Sequence, residues 1–111
     1  MDEFKNIISN ESFEGIVVIL DSKSNIVQTN KTFLDLLGFK LAEIKGKNII
    51  DLIVPDEKSL FFDLVYNQDV SNILTVKFYH KSGAFRFFSF SIFNFHEHKL
   101  LFGNTLKKDF L

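Results

Sequence analysis

The chain has no cysteine. That excludes disulfides, thiolate zinc sites, iron–sulfur clusters, thiol catalysis and thiol adducts to a cofactor. Charge of one sign is also missing: 13 Lys+Arg stand against 14 Asp+Glu, for a net charge of −1. The electrostatic footprint of a nucleic-acid binder is therefore absent, and so is any pull toward an anionic membrane surface. No apolar run approaches the roughly 20 residues of a membrane helix. Met1-Asp2-Glu3-Phe4 lacks the basic and apolar regions of a signal peptide. A cytoplasmic domain without membrane insertion is the expectation. Tryptophan is absent and proline occurs once.

What is present is phenylalanine. There are 15 Phe in 111 residues, and six of them fall between Phe85 and Phe95. A chain of this length is one domain by default and is long enough to bury a core unaided. Its 46% hydrophobic and 24% charged residues argue against disorder. The interior is expected to be aromatic.

Residues 2–11 carry Phe4, Ile7 and Ile8 at i, i+3, i+4, one stripe of a short helix. Ten residues are too few for a free helix, so the stripe must lie on something. Residues 1–12 are accordingly read as a flanking N-terminal helix and residues 13–111 as the core. The run Ile16-Val17-Val18-Ile19-Leu20 predicts a strand covered on both faces, hence a central one. Residues 21–25 read as a turn, and Ile26-Val27-Gln28-Thr29 as a more polar edge strand. Asn30 is a good N-cap for a helix bearing Phe33, Leu34, Leu36 and Leu37, with Gly38 as its stop. Two short helical pieces follow, at 41–44 and 48–52, divided by Gly46. Pro55 opens a further helix through Tyr66, with Asp56 and Glu57 in its first turn and Leu60, Phe61, Leu64 and Val65 as its stripe.

The period then changes to strands, at 73–80, 84–95 and 100–106. Residues 80–83 form one turn, and His96-Glu97-His98 a second tight connection. Strands clustered rather than alternating with helices give an α+β architecture with an antiparallel sheet. The polar strands 26–29 and 73–80 belong at its edges, with the helices of 31–66 over one face.

This order, with its residues, resembles a PAS domain. Gly15-Ile16-Val17-Val18-Ile19-Leu20-Asp21 is similar to that family's opening strand, and Ile26-Val27-Gln28-Thr29-Asn30 to its second. Phe33-Leu34-Asp35-Leu36-Leu37-Gly38-Phe39, Glu43-Ile44-Lys45-Gly46-Lys47, Val54-Pro55-Asp56 and Lys81-Ser82-Gly83 match further family segments in order. The resemblance implies a five-stranded sheet of order 2-1-5-4-3, with helices enclosing a pocket over one face. It implies a sensory role in signal transduction, passing a change to a C-terminal effector, as in two-component sensor histidine kinases. Asp109-Phe110-Leu111 stands nearest the segment that leads to the effector in such proteins.

No cofactor is expected. The family's flavin photochemistry needs an adduct-forming Cys, and its flavin-holding Asn and Gln are replaced here by Phe78 and Phe88. A cinnamoyl chromophore also needs Cys. Haem is disfavoured because residues 55–66 carry no His; the three His are His80, His96 and His98, at strand ends. His96 and His98 alone are too few to hold a metal. Phosphate-loop, Gly-x-Ser-x-Gly and His-Glu-x-x-His signatures are absent. Adjacent Asp56 and Glu57 diverge on a helix and cap it rather than act as an acid–base pair. The domain itself is read as non-enzymatic.

Strand alternation assigns faces. By resemblance Leu74, Val76, Phe78, Phe88, Phe90 and Ile92 point at the helices, and Leu37, Ile44, Phe61, Leu64 and Val65 face them. Arg86 has the same parity; it is expected to pair with a rim carboxylate, or else to hold a ligand carboxylate. A pocket lined by so many Phe is expected to be filled, with an apolar or amphipathic small molecule as the other reading. Phe85, Phe87, Phe93 and Phe95 have the opposite parity. The helix of Phe4, Ile7 and Ile8 is expected to cover them, in its own copy or across the axis of a homodimer. Two classes remain open: a ligand sensor, and a ligandless dimerisation module with a Phe-packed core.

Overall fold

The computed structural model describes residue 8 and residues 15–54 and 74–105. Five strands are present: β1 (Ile16–Leu20), β2 (Ile26–Thr29), β3 (Leu74–Tyr79), β4 (Phe85–Phe95) and β5 (His98–Thr105). Between β2 and β3 lie helix α1 (Lys31–Leu37), helix α2 (Leu41–Ile44) and a 3-10 turn (Ile49–Leu52). The strands form one antiparallel sheet in the order β2-β1-β5-β4-β3. The polar strands β2 and β3 are its borders, as expected. The helix over 55–66 lies outside the described residues, as do Leu60, Phe61, Leu64 and Val65. Among the described helices none is long and apolar enough to cross a membrane.

β1 shows why an unbroken β-branched run sits centrally. All five side chains are fully buried. Ile16, Val18 and Leu20 join the cluster under the helices, whereas Val17 and Ile19 join a second cluster on the opposite face. Each face needs its own cover, and the alternation delivers side chains to both.

Local chemistry sets the ends of the elements. Asp21 makes the β1–β2 turn: its Oδ1 accepts from the Lys23 amide at 2.8 Å and the Asn25 amide at 2.9 Å. Asn30 caps α1, its Oδ1 accepting from Phe33 N at 3.3 Å. The same oxygen accepts from Val17 N at 3.1 Å, and Asn30 Nδ2 donates to the Gly15 carbonyl at 2.9 Å. One side chain thus fastens the start of β1 to the start of α1. Gly38 ends α1 at φ 80, a left-handed conformation that costs glycine nothing.

The β4–β5 connection is tighter than the pattern predicts. His96 adopts φ 56, so His96 and Glu97 alone make the turn and β5 begins at His98 rather than residue 100. Gly103 answers a close approach between β4 and β5. A Cβ there would lie 2.2 Å from the Ser89 carbonyl oxygen and 2.7 Å from the Phe90 ring.

Both borders of the sheet are occupied. Ile26 N donates to the Lys47 carbonyl at 2.8 Å, and Gly46 N to the Ile26 carbonyl at 2.8 Å, closing β2. On the far side Val54 N donates to the Lys77 carbonyl at 3.0 Å, and Ile53 bridges Phe78 on β3. At Ile26 and at Lys77–Phe78 the border strands are thereby taken up and cannot pair with another edge.

Candidate functional site

The candidate site is the helix-facing side of the sheet. Direct cross-strand partners share a face, so the register maps that wall row by row. One row runs Ile16, Gly103, Phe90; the next runs Thr29, Val18, Leu101, Ile92; the next runs Leu20, Lys99, Asn94.

Its aromatic end is a four-ring cluster. Phe78 lies 5.3 Å from Phe88 and 5.7 Å from Phe90 between centroids. Phe33 from α1 meets Phe78 and Phe88 at 5.9 Å each, and Phe88 meets Phe90 at 6.0 Å. All four rings are fully buried, mostly at the tilted and edge-on angles that aromatic quadrupoles favour. Leu37, Ile44, Val76 and Ile92 belong to the same cluster. Of the candidate pocket residues, the structure therefore brings together Leu37, Ile44, Val76, Phe78, Phe88 and Phe90. Phe61, Leu64 and Val65 fall outside the described residues.

Arg86 stands apart from this group. It lies opposite Phe78, on the expected parity, but near the hairpin end of β4 and exposed. Its guanidinium donates to the Phe85 carbonyl at 2.9 Å; among the described residues no carboxylate pairs with it. Parity sets the face of a strand residue, not its depth, and at a strand end a guanidinium stays in water.

The same hairpin is tied to the helices. Lys81 N donates to the Leu37 carbonyl at 2.8 Å, and the His80 ring packs over Gly38. Lys81 Nζ bonds Glu43 Oε2 at 2.6 Å, while Glu43 Oε1 accepts from Lys40 N at 2.8 Å. The hydrogen bond from Lys81, then that from the Lys40 amide, hold the Glu43 carboxyl below its ordinary value. At Asp21 burial pulls upward, but hydrogen bonds from Asn25 and Lys23 outweigh it and leave that carboxyl lowered as well.

Two polar groups on the wall escaped sequence reasoning. Lys99 is 8% exposed and projects from β5, the middle strand, with its Nζ 3.0 Å from Asn94 Oδ1. The signal was available: Lys99 has the parity of Leu101 once β5 is known to start at His98. Thr29, buried on β2, has a hydroxyl with no hydrogen-bond partner among the described residues. On a wall whose buried side chains are otherwise Val, Leu, Ile and Phe, both are conspicuous.

The opposite side of the sheet differs. Ile8 packs against the cluster of Val17, Ile19 and Leu100 on this face, within its own chain, as do Val27 and Phe102. Phe4 and Ile7 fall outside the described residues. Over β4 the rings stay open: Phe85 is 49% exposed, Phe93 55% and Phe95 40%. Lys77 Nζ sits 5.2 Å from the Phe85 and Phe87 ring centroids, a cation–π shield at one corner. Phe93 meets Phe102 at 5.7 Å, which makes the covered and open parts continuous.

The comparisons with known proteins bear on this geometry. No curated protein matches the chain. Among solved structures, the RpfR quorum-sensing receptor PAS domain of Cronobacter turicensis, in complex with C12:0, is 24% identical, with a TM-score of 0.73 over 84% of this chain and 94% of that one. The PAS domain of an HTR-like protein from Haloarcula marismortui is 13% identical, with a TM-score of 0.72 over 93% of this chain and 94% of that one. A PAS domain from a two-component sensor histidine kinase is 12% identical, with a TM-score of 0.72 over 94% of this chain and 95% of that one. These likenesses show the fold. The family model for the PAS domain matches residues 14–103, nearly all of the described sheet and its helices, and the chain therefore belongs to the PAS family of sensory domains.

Proposed function

We infer that this PAS domain is the sensing module of a larger signalling protein, and that it takes an apolar or amphipathic small molecule between sheet and helices. The observation that carries this reading is the helix-facing wall. It is apolar over most of its rows, with a four-ring aromatic floor at one end and isolated polar groups elsewhere. Such a surface, mostly hydrophobic with a few placed polar groups, is how small-molecule sites are built. The similar RpfR domain holds C12:0. The signal would pass to an effector such as a histidine kinase, in keeping with the likeness to a sensor-kinase PAS domain. The domain is read as non-catalytic, as PAS modules generally are.

Native mass spectrometry of the purified chain, set against denaturing spectra, tests the reading. A stoichiometric extra mass that is lost on denaturation, or uptake of added dodecanoate or dodecan-1-ol, supports it. A bare mass that neither compound changes overturns it.

A second reading, association through the outer face of β4 without any ligand, is favoured by one observation. Phe85, Phe93 and Phe95 are open while both borders of the sheet are occupied. Self-association would then use the face rather than strand addition. Light scattering on Phe93→Ser against the parent chain tests it, and an unchanged dimer mass would overturn it.

A further inference from the structure

We propose that Lys99 is the head-group anchor of the pocket and that the ligand it selects is an apolar chain ending in a carboxylate. The proposal rests on the pocket reading above and adds the class of ligand.

A lysine on an interior strand, on the covered face and 8% exposed, is an uncommon placement. Its neighbours across the ladder are Leu20 on β1 and Asn94 on β4. The row lies at the end of the wall, next to the two-residue turn at His96 and Glu97, so an ammonium there stands at the mouth of the layer rather than at its floor. Moving along β4 from Asn94, the wall turns aliphatic at Ile92 and Leu101, then aromatic at Phe90. Four residues of strand separate the Asn94 row from the Phe90 row, roughly 14 Å at the rise of an antiparallel strand. One cationic end, an aliphatic middle and an aromatic far end make a wall graded in polarity along a single line. A guest that matches it has one anionic head and one apolar tail.

Asn94 is a neutral acceptor for the amine, at 3.0 Å. A carboxylate makes a charge-assisted bond about twice as strong, so it can share the ammonium with the amine's protein partners. The competing account is that the Lys99 stem merely covers Leu20 and Ile92 while its charge reaches water. The two accounts differ in what the charge contributes, and that can be measured.

The experiment is titration calorimetry of the 111-residue chain with dodecanoate and with dodecan-1-ol, which share a tail and differ in the head. The variants are Lys99→Met, which keeps the stem and removes the charge, and Lys99→Arg, which keeps the charge. Lys99→Met is expected to weaken dodecanoate by about tenfold or more, the size of one lost charge-assisted bond. It should leave dodecan-1-ol within about twofold, which also shows that the variant folds. Lys99→Arg should retain most of the dodecanoate affinity. If both compounds bind and Lys99→Met changes neither, the anchor is wrong and the pocket stands. If neither compound binds the parent chain, pocket and anchor fall together.

Discussion

The two sides of this sheet are made of the same residue type and behave oppositely. On the helix side Phe78, Phe88 and Phe90 are sealed, and Phe33 comes down from α1 to complete a four-ring block. On the other side Phe85, Phe93 and Phe95, from the same strand, remain about half open. Residue type therefore does not decide the fate of a ring; what covers the face decides it. The helix side has α1 and its successors across it. On the outer side Ile8 packs against the cluster of Val17, Ile19 and Leu100 on β1 and β5. A buried ring contributes through area and packing, whereas an open one keeps most of its surface in water and waits for a partner.

The most direct way to break the contrast is to truncate one ring on each side. Phe88→Ala should cost about 3–5 kcal/mol in urea denaturation, since it removes a buried ring in contact with three others. Phe93→Ala should cost under about 1 kcal/mol by the same measurement. Equal losses would erase the distinction between the faces. Gly103→Ala comes next, at about 1–3 kcal/mol, because the new methyl meets the Ser89 backbone and the Phe90 ring. An unchanged denaturation midpoint would show that β4 and β5 can separate there.

Thr29→Val sharpens the contrast from the opposite direction. It removes a buried hydroxyl that has no partner among the described residues, and should stabilise the unliganded domain by about 1 kcal/mol. Destabilisation would mean that the hydroxyl is satisfied in solution. The smallest effect is electrostatic and sits at the rim of the helix side. Asp21 and Glu43 are both held below their ordinary values. A lowered carboxyl adds stability above its unfolded value, and that stability is lost as pH falls through the folded one. The melting temperature should accordingly decline as pH drops below about 4. In the D21N, E43Q double variant the decline should be shallower over the same range. Parallel pH profiles would remove both carboxyls from the account.

Much of this was legible because it is local. Asn30 before an apolar helical stripe and Gly38 after it announced both ends of α1. The β-branched run of β1 announced a strand covered twice. Alternation grouped Val76 with Phe78 and Phe88 with Phe90, and the family resemblance put both pairs on the helix-facing side. What stayed hidden depends on distance in the chain. Asn30 was readable as a cap, but its bonds to Gly15 and Val17 join positions 15 and 13 residues away. Lys99 was hidden by a boundary: reading His96-Glu97-His98 as the turn left it outside the strand and without a face. Arg86 had the right parity and a readable place near the strand start, but its exposure depends on how far the covering layer extends over that end. Phe85 and Phe95 could be assigned outward, but how far the leading segment reaches over them is a question of packing.

The stretch between α2 and β3 touches both flanks of the sheet, near Gly46 on one and at Val54 on the other. It works like a strap buckled at each side. An outward displacement of the Gly46–Val54 segment would therefore pull on the two outermost strands before it reached the three between them.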